Sequence, residues 1–416
     1  MIRADPRKIR IPSRPQTCYG YTMVAEHSDS EGGSPPGPMD SGFWESPGIR
    51  VFLPARMPVP DALRDGDDLG LPAGAVVFSS SGTSGDPKLA VLTRRSLLAS
   101  ARAVVDWLGI TGGDRLLCPL PLHHVGGFGL MARAKASGAA FRSMEIPWDA
   151  GEFTAMARDW QATMTSLVPT QVYDLVCARV APPASLRLIV VGGSHLAADL
   201  DSEARQLGWP ILPSFGMTET SSQIATAKPG MRAPGPGWLP VIHGWEVAND
   251  SDGLLRVRGE GLFAGNLLPR EGGWTFVPAT TDGGWFTTSD YAEIATDHGQ
   301  CWLLPRGRAD DSIKIRGELV ALSAAARELD GLARAAGLPP ARVAIIDVAD
   351  PRAGRALVLV GESAMADQLP ALRDAFNRRA PAFARIERIA AIPVIPRSPL
   401  GKLQRANLRS LLGSHT

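Results

Sequence analysis

Ser79-Ser80-Ser81-Gly82-Thr83-Ser84-Gly85-Asp86-Pro87-Lys88 follows the short apolar run Ala75-Val76-Val77-Phe78 and carries the sharpest chemical signal in the sequence. Hydroxyls and glycines behind a strand can wrap a polyphosphate. Glycines let backbone N–H groups approach, hydroxyls donate hydrogen bonds, and the lysine adds a cation. The spacing is not that of a Walker loop, where Gly and Lys are adjacent, because Asp86 and Pro87 separate Gly85 from Lys88. A polar Ser/Gly turn is common; one ending in Gly-Asp-Pro-Lys behind a buried strand is not.

Five further segments could share that chemistry. In Phe215-Gly216-Met217-Thr218-Glu219-Thr220 the ring can stack on a base across a flexible glycine, Thr218 can contact a phosphate, and Glu219 can hold Mg²⁺. An N-capping threonine in a loop is the ordinary alternative. His123 and His124 lie in Pro119-Leu-Pro-Leu-His-His-Val-Gly-Gly127; neighbours in sequence make a poor metal pair, since i and i+4 share a helix face. A gate, a substrate contact or a packed loop histidine remain open. Trp285-Phe-Thr-Thr-Ser-Asp290 ends in an acid that could bind ribose hydroxyls, or merely close a turn. Gly307-Arg308-Ala-Asp310-Asp-Ser-Ile-Lys-Ile-Arg-Gly317-Glu318 is charged in the manner of a linker, yet its order of residue types is more specific than that. Pro396-Arg-Ser-Pro-Leu-Gly-Lys402-Leu-Gln-Arg405 is either a basic tail or a Pro/Gly-bounded loop that delivers Lys402 to a site.

These residues need a scaffold. Leu97, Ala101, Val104, Val105 and Leu108 fall at helical spacing within Thr93–Leu108, closed by Gly109, so the first unit reads strand, glycine loop, short connection, helix. Strands are expected at Arg115–Cys118, Ala162–Val168, Leu186–Val191 and Ile211–Leu212, with a helix over Gln171–Val180. That alternation predicts a largely parallel α/β sheet, with ligands beyond the carboxyl ends of its strands. Leu254–Gly284 reads as a small antiparallel β region, and a new unit begins near Arg308–Asp311. In that unit, Val343–Asp347 and Ala356–Val360 are expected strands and Asp367–Arg379 a helix. Ser28–Gly42, rich in Ser, Gly and Pro, reads as a loose loop. The expected divisions are 1–74, partly loop; 75–307, the large domain; and 308–416, a smaller α+β domain.

Composition narrows the field. In 416 residues, 43 Lys+Arg balance 42 Asp+Glu, so no global charge favours nucleic acid or an anionic membrane. No apolar run is long enough to span a bilayer, and none follows Met1–Arg10 in the manner of a secretory signal. The four cysteines form no CxxC pair, so a zinc ribbon or disulfide scaffold is not expected and a reducing cytoplasm is the default.

In their order along the chain, from about Ala75 to Arg405, the six motifs resemble the adenylate-forming superfamily of acyl- and aryl-CoA ligases, peptide-synthetase adenylation domains and luciferases. Thr165-Ser-Leu-Val-Pro-Thr170, Val191-Gly-Gly193 and Thr218-Glu-Thr-Ser-Ser-Gln223 look most like the o-succinylbenzoate–CoA ligase branch, which serves menaquinone biosynthesis. The resemblance implies an α/β fold, with a large multi-subdomain N-terminal domain and a small α+β domain on a hinge. It implies ATP, Mg²⁺ and CoA as cofactor and co-substrates, a small carboxylic acid as substrate, and a homodimer at the family level. Ser80, Ser81, Gly82, Thr83, Ser84, Gly85 and Lys88 would hold the phosphates. Gly192, Gly193 and Ser194 would lie along the adenine, with Phe215 stacked on it and Gly216 beside it. Thr218 would contact the α-phosphate, Glu219 the Mg²⁺, and Asp290 and Arg308 the ribose. Asp310 matches the hinge, Lys402 the lysine at the reacting carboxylate, and His124 the gating histidine, with His123 in the family's aromatic position. Gly127, Pro169, Thr170 and Gln223 are candidates for the acid pocket and Gly317 for CoA.

Three departures stand out. The phosphate loop lies near residue 80, earlier than in typical members, which reads as an abbreviated N-terminal segment. Ser289 replaces the usual Gly before the acid, and Arg316-Gly317-Glu318 replaces a more usual Gly-Gly-Glu. Another acid–CoA ligase, an enzyme that loads a carrier protein, and a non-catalytic nucleotide-binding relative are the alternatives. Presence of Lys402, Glu219 and the phosphate loop together speaks against the last.

Overall fold

Residues 75–78 and 89–92 set the first sheet because they are apolar on both faces. The computed structural model describes residues 21–25, 40–54, 57, 60, 63, 69–80, 88–271, 273–315, 318–350, 354–398 and 401–413. Strands β1 (Tyr21–Ala25), β2 (Arg50–Pro54), β3 (Ala75–Ser80) and β4 (Lys88–Thr93) lie side by side, and β2 pairs in parallel with β3. Val76 and Phe78 enter one core and Ala75 and Val77 another, the two-residue alternation of a strand buried on both sides. The expected short connection after the glycine loop is in fact β4, antiparallel to β3 with Ser80 opposite Lys88. Ser81 to Pro87, between the two strands, lies outside the described residues. The continuous apolar run Leu89-Ala-Val-Leu92 was the available signal. Most of the Ser28–Gly42 segment falls outside the described residues; its end opens the short helix α1 (Ser41–Glu45).

Helix α2 (Arg94–Leu108) starts where Thr93 and Ser96 exchange capping hydrogen bonds at 3.0 Å, and ends at Gly109 with φ 62°. The second sheet runs β10-β9-β8-β7-β5-β6. Its members β5 (Arg115–Cys118), β6 (Ala140–Ser143), β7 (Met164–Leu167), β8 (Leu188–Val191) and β9 (Ile211–Met217) are parallel, while β10 (Ser222–Thr226) is antiparallel at the edge. Helices α2 and α3 (Val125–Ser137) cover one face. Helices α4 (Ala150–Asp159), α5 (Pro169–Cys177) and α6 (Ala198–Gln206) cover the other. Strand β9 outruns the expected Ile211–Leu212 because β10 folds back along it, a non-local pairing that no local pattern announces.

The Leu254–Gly284 region is antiparallel as expected but serves two sheets. Its first strand, β13 (Leu254–Arg258), joins a third sheet ordered β11-β17-β16-β13-β12, comprising β11 (Leu239–Pro240), β12 (Glu246–Asn249), β16 (Phe286–Asp297) and β17 (Gln300–Arg308). The hairpin β14 (Gly265–Arg270) and β15 (Gly273–Pro278) joins the first sheet, with Leu267 opposite Leu89 on β4.

Downstream come a hairpin of β18 (Ser312–Ile315) and β19 (Glu318–Ala321), then α7 (Leu322–Ala335). A three-stranded sheet of β20 (Val343–Asp350), β21 (Gly354–Glu362) and β22 (Ile386–Ile392) follows, with α8 (Leu369–Arg379) and α9 (Arg405–Gly413). Two hydrophobic clusters here draw only on residues from Ile313 onward. Among the described residues no helix is long and apolar enough to cross a membrane.

Candidate active site

Two of the candidate segments follow the parallel strands β8 and β9. After β8 the chain turns through Gly192 and Gly193. A Cβ on Gly192 would lie 2.8 Å from Ser214 Oγ, and Gly193 has φ 83°, so side chains are excluded there. Ser194 is exposed beside them. After β9 comes one 3₁₀ turn, Thr218–Thr220. Gly216 is not the flexible joint its type suggested. A Cβ on it would sit 1.9 Å from Ser222 O, so it is the residue that lets β10 cross back over β9. Phe215 is half-buried against the core, opposite Ala225. Ser221 and Ser222 adopt φ 57° and φ 155°, strained for non-glycine residues, and Ser221 Oγ is tied to Gly261 O at 2.7 Å. Phe263 N donates to Glu219 O at 2.9 Å, and Ala264 N to Val91 O at 2.8 Å. The Glu219 turn is thereby linked to β4, the strand that begins at Lys88.

Asp290 and Arg308 are direct cross-strand partners on β16 and β17, with Arg308 Nη1 3.5 Å from Asp290 Oδ2. Asp290 is buried, and its amide donates to Thr288 Oγ1 at 3.0 Å. Strand register thus explains why an acid at 290 and a base at 308 meet.

Lys402 arrives from the far end of the chain. Burial, reinforced by Arg308, pulls its ammonium below its ordinary value against the opposing fields of Glu219 and Asp290. Lys402 also bears on His124, pushed down to about 3 by burial, then by His123 and Lys402. His123 is pushed down to about 4 by burial. Both imidazoles are neutral at neutral pH, with ring centroids 4.4 Å apart. Neither His123 nitrogen nor His124 Nε2 has a hydrogen-bond partner. His124 itself is the N-cap residue of α3. Lys402, Glu219, Asp290, Arg308 and His124, dispersed over the sequence, therefore share one electrostatic neighbourhood.

Other expected residues fare differently. Ser81–Gly85 and Gly317 lie outside the described residues, as do the side chains of Ser80 and Asp310. Lys88 is exposed at the start of β4. Gly127 packs closely: a Cβ on it would meet Pro121 O at 2.5 Å and Leu120 O at 2.7 Å, so it seats α3 against the preceding loop. Pro169 begins α5, where its missing N–H costs nothing. Thr170 faces the lysine loop, since a Cβ on Gly401 would meet Thr170 Oγ1 at 2.6 Å. Gln223 is buried, with Nε2 donating to Thr226 Oγ1 at 2.8 Å and Oε1 left without a partner.

Sequence reasoning passed over Arg133. It lies in the apolar helix α3 and is 2% exposed. Nη2 donates to Ser222 Oγ at 3.0 Å and Nη1 contacts Ser166 Oγ at 3.4 Å, while Nε has no partner. Burial pushes it down to about 10 against the opposing influence of Cys118, so it remains a cation facing two hydroxyls and a thiol. The signal was present: one arginine in the run Phe128-Gly-Leu-Met-Ala-Arg133-Ala, with only apolar and glycine neighbours.

Among the described residues no three metal-ligating side chains gather, so a protein-built metal cage is not what this site offers. A lone carboxylate such as Glu219 suits Mg²⁺ that arrives on a triphosphate and keeps phosphate and water ligands.

A parallel sheet whose strands end in glycine turns, with Lys402 brought in from near the C-terminus, is an arrangement suited to holding a nucleotide. The AMP-binding enzyme family matches residues 59–267, just over half of the chain, and the chain belongs to that family. It is 32% identical over 250 residues to a 2-succinylbenzoate–CoA ligase of Staphylococcus aureus, an alignment covering 59% of this chain and 49% of that one. The chain thus aligns with about half the length of that curated relative. Among solved structures it resembles an E. coli MenE variant with bound OSB-AMS (26% identity, TM-score 0.63, 81% of this chain and 68% of that). It also resembles the o-succinylbenzoate coenzyme A synthetase MenE of Bacillus subtilis in complex with AMP (25% identity, TM-score 0.65, 80% and 68%).

Proposed function

We propose that this protein is an AMP-forming acid–CoA ligase, and that its acid is o-succinylbenzoate or a close dicarboxylic relative. One observation carries the reading: Lys402, from a unit with its own core, enters the neighbourhood of Glu219, Asp290, Arg308 and His124. Two anions, a carboxylate and ATP, repel each other in water. Lys402 and Lys88 offset that repulsion, Glu219 would hold a Mg²⁺ that would supply further positive charge at the phosphates, and the Ser80–Gly85 loop holds the phosphates. The carboxylate oxygen bonds to the α-phosphorus as the bond to pyrophosphate breaks in line, by positioning and electrostatics alone. Phe215, Gly192, Gly193 and Ser194 line the adenine, and Asp290 with Arg308 holds the ribose. Residues 308–416 form the mobile lobe. Rotation about Asp310 withdraws Lys402 and brings up Gly317, after which the CoA thiolate attacks the acyl carbonyl and AMP leaves.

Arg133 supports the dicarboxylic substrate. Its guanidinium lies level with Gly129, whose added Cβ would be 3.3 Å from Nη2. That is five residues along α3 from His124, about 7–8 Å at the helical rise. An acid reacting beside His124 and Lys402 can place a second carboxylate on this buried cation. The curated relative and the Bacillus subtilis neighbour are named for an acid of this kind.

The test is pyrophosphate release from ATP with o-succinylbenzoate and with benzoate, each with and without CoA. The expected result is acid-dependent release without CoA, preference for the diacid, and AMP release on adding CoA. Pyrophosphate release that ignores the acid would overturn the reading.

A further inference from the structure

Lys402 is held by its own lobe. Arg397 grips the loop from below, donating to Gly401 O at 3.0 Å, Ala341 O at 2.8 Å and Val343 O at 3.1 Å. The loop closes on itself through Ser398 N to Lys402 O and Gly401 N to Ser398 O, both 2.8 Å, and Lys402 N to Ser398 Oγ at 3.2 Å. Lys402 therefore moves only as the whole unit moves, and whatever fixes the unit against the large domain fixes the lysine.

An ion pair does so at a distance from the chemistry. Arg334 Nε lies 2.7 Å from Asp199 Oδ2. Asp199 stands in the first turn of α6 and Arg334 in the last turn of α7. Each charge sits at the helix end whose dipole favours it, so the pair bridges two complementary poles. Asp199 is further oriented by the Leu200 amide at 2.9 Å. Asp330, one turn earlier on α7, lies in the field of Arg397. One helix thus connects the interdomain pair to the base of the lysine loop. On the opposite side Gly401 presses on Thr170, so closure is bounded by contact there and by charge at α6.

We propose that Asp199 and Arg334 form a positioning latch, which selects the lobe orientation that inserts Lys402 and must part before the thiol-consuming step. This rests on the adenylate-forming reading above. Half-exposed pairs of this kind shift an equilibrium by roughly two- to fivefold.

The test is a double-mutant cycle in the full-length chain with Asp199→Asn, Arg334→Gln and both together. Each single variant is expected to slow acid-dependent pyrophosphate release about threefold, with the double no worse than either. Turnover of added acyl-adenylate by CoA should be unchanged or faster in all three. A second readout needs no activity: the distance between nitroxides on Ser202→Cys and Arg378→Cys, in a background with Cys18, Cys177 and Cys301 replaced by serine and Cys118 buried. A single short distance is expected while the pair is intact, and the Asp199→Asn variant should add a second, longer population. Additive losses, equal losses in both half-reactions, or identical distance distributions would overturn the latch. If the parent protein releases no pyrophosphate yet the distances respond, the latch stands and the assigned reaction falls.

Discussion

Replacing Arg133 by Met separates the catalytic reading of this residue from a structural one, because the two differ in sign. In the folded protein the guanidinium is 2% exposed and faces Ser222 Oγ and Ser166 Oγ, with Nε unpartnered. Exchanging a buried ion for an apolar side chain of similar length is typically neutral or stabilising by about 1–4 kcal/mol, and the two serine hydroxyls left behind return about 1–3 kcal/mol of that. Stability should change little, with Tm within a few degrees of the parent. Binding should change greatly. A substrate carboxylate buried against a vacated cation site loses about 3–4 kcal/mol, which is two to three decades in KM at about 1.4 kcal/mol per decade. A monocarboxylic acid should lose nothing. The assay is acid-dependent pyrophosphate release with o-succinylbenzoate and benzoate, beside thermal unfolding. A fall in Tm of many degrees, with both acids losing equally, would refute the argument and make Arg133 a strut between α3, β7 and β10.

Other perturbations probe the rest of the site. Lys402→Ala should cut pyrophosphate release by orders of magnitude while sparing CoA-dependent consumption of pre-made acyl-adenylate, as measured by separate half-reaction assays. Gly401→Ala adds a Cβ 2.6 Å from Thr170 Oγ1 at a residue with φ 71°, so it should slow the adenylating step more than the thiol step, and Thr170→Gly should restore part of the loss. His123, lowered from 6.5 to about 4 by burial, takes its proton in the unfolded chain first. Stability is therefore lost as pH falls from about 6.5 to 4, at about 1.4 kcal/mol per pH unit for this group. His123→Phe should flatten the acid limb of a denaturation-midpoint profile by one proton, and an unaltered slope would contradict the assignment.

Much of the scaffold was legible because its rules are local. The Thr93 cap, the helical spacing up to Leu108 and the left-handed Gly109 need only neighbours in sequence. Arg115–Cys118 was bounded correctly for the same reason. What escaped was pairing over distance: Lys88–Thr93 as a strand, the extension of β9 to Met217, and the division of Leu254–Gly284 between two sheets. Gly127 illustrates the limit in the site. The sequence shows a glycine beside a candidate histidine, but only the fold shows that the backbone of Leu120 and Pro121 leaves no room for a Cβ there. Arg133 illustrates the reverse, since an arginine on a helix is ordinarily solvated and only tertiary burial makes it exceptional.

By itself the sequence determined the inventory: which loops carry hydroxyls, carboxylates and lysines, and the order in which strands present them. Residue type and short-range spacing suffice for that, because caps, turns and strand alternation depend on atoms a few bonds apart. Tertiary structure alone decided that Asp290 faces Arg308 across a ladder, that Lys402 lies in the field of Glu219, and that Asp199 meets Arg334. Those partnerships join residues many positions apart in the chain, and they exist only once separate hydrophobic cores have fixed where each strand ends.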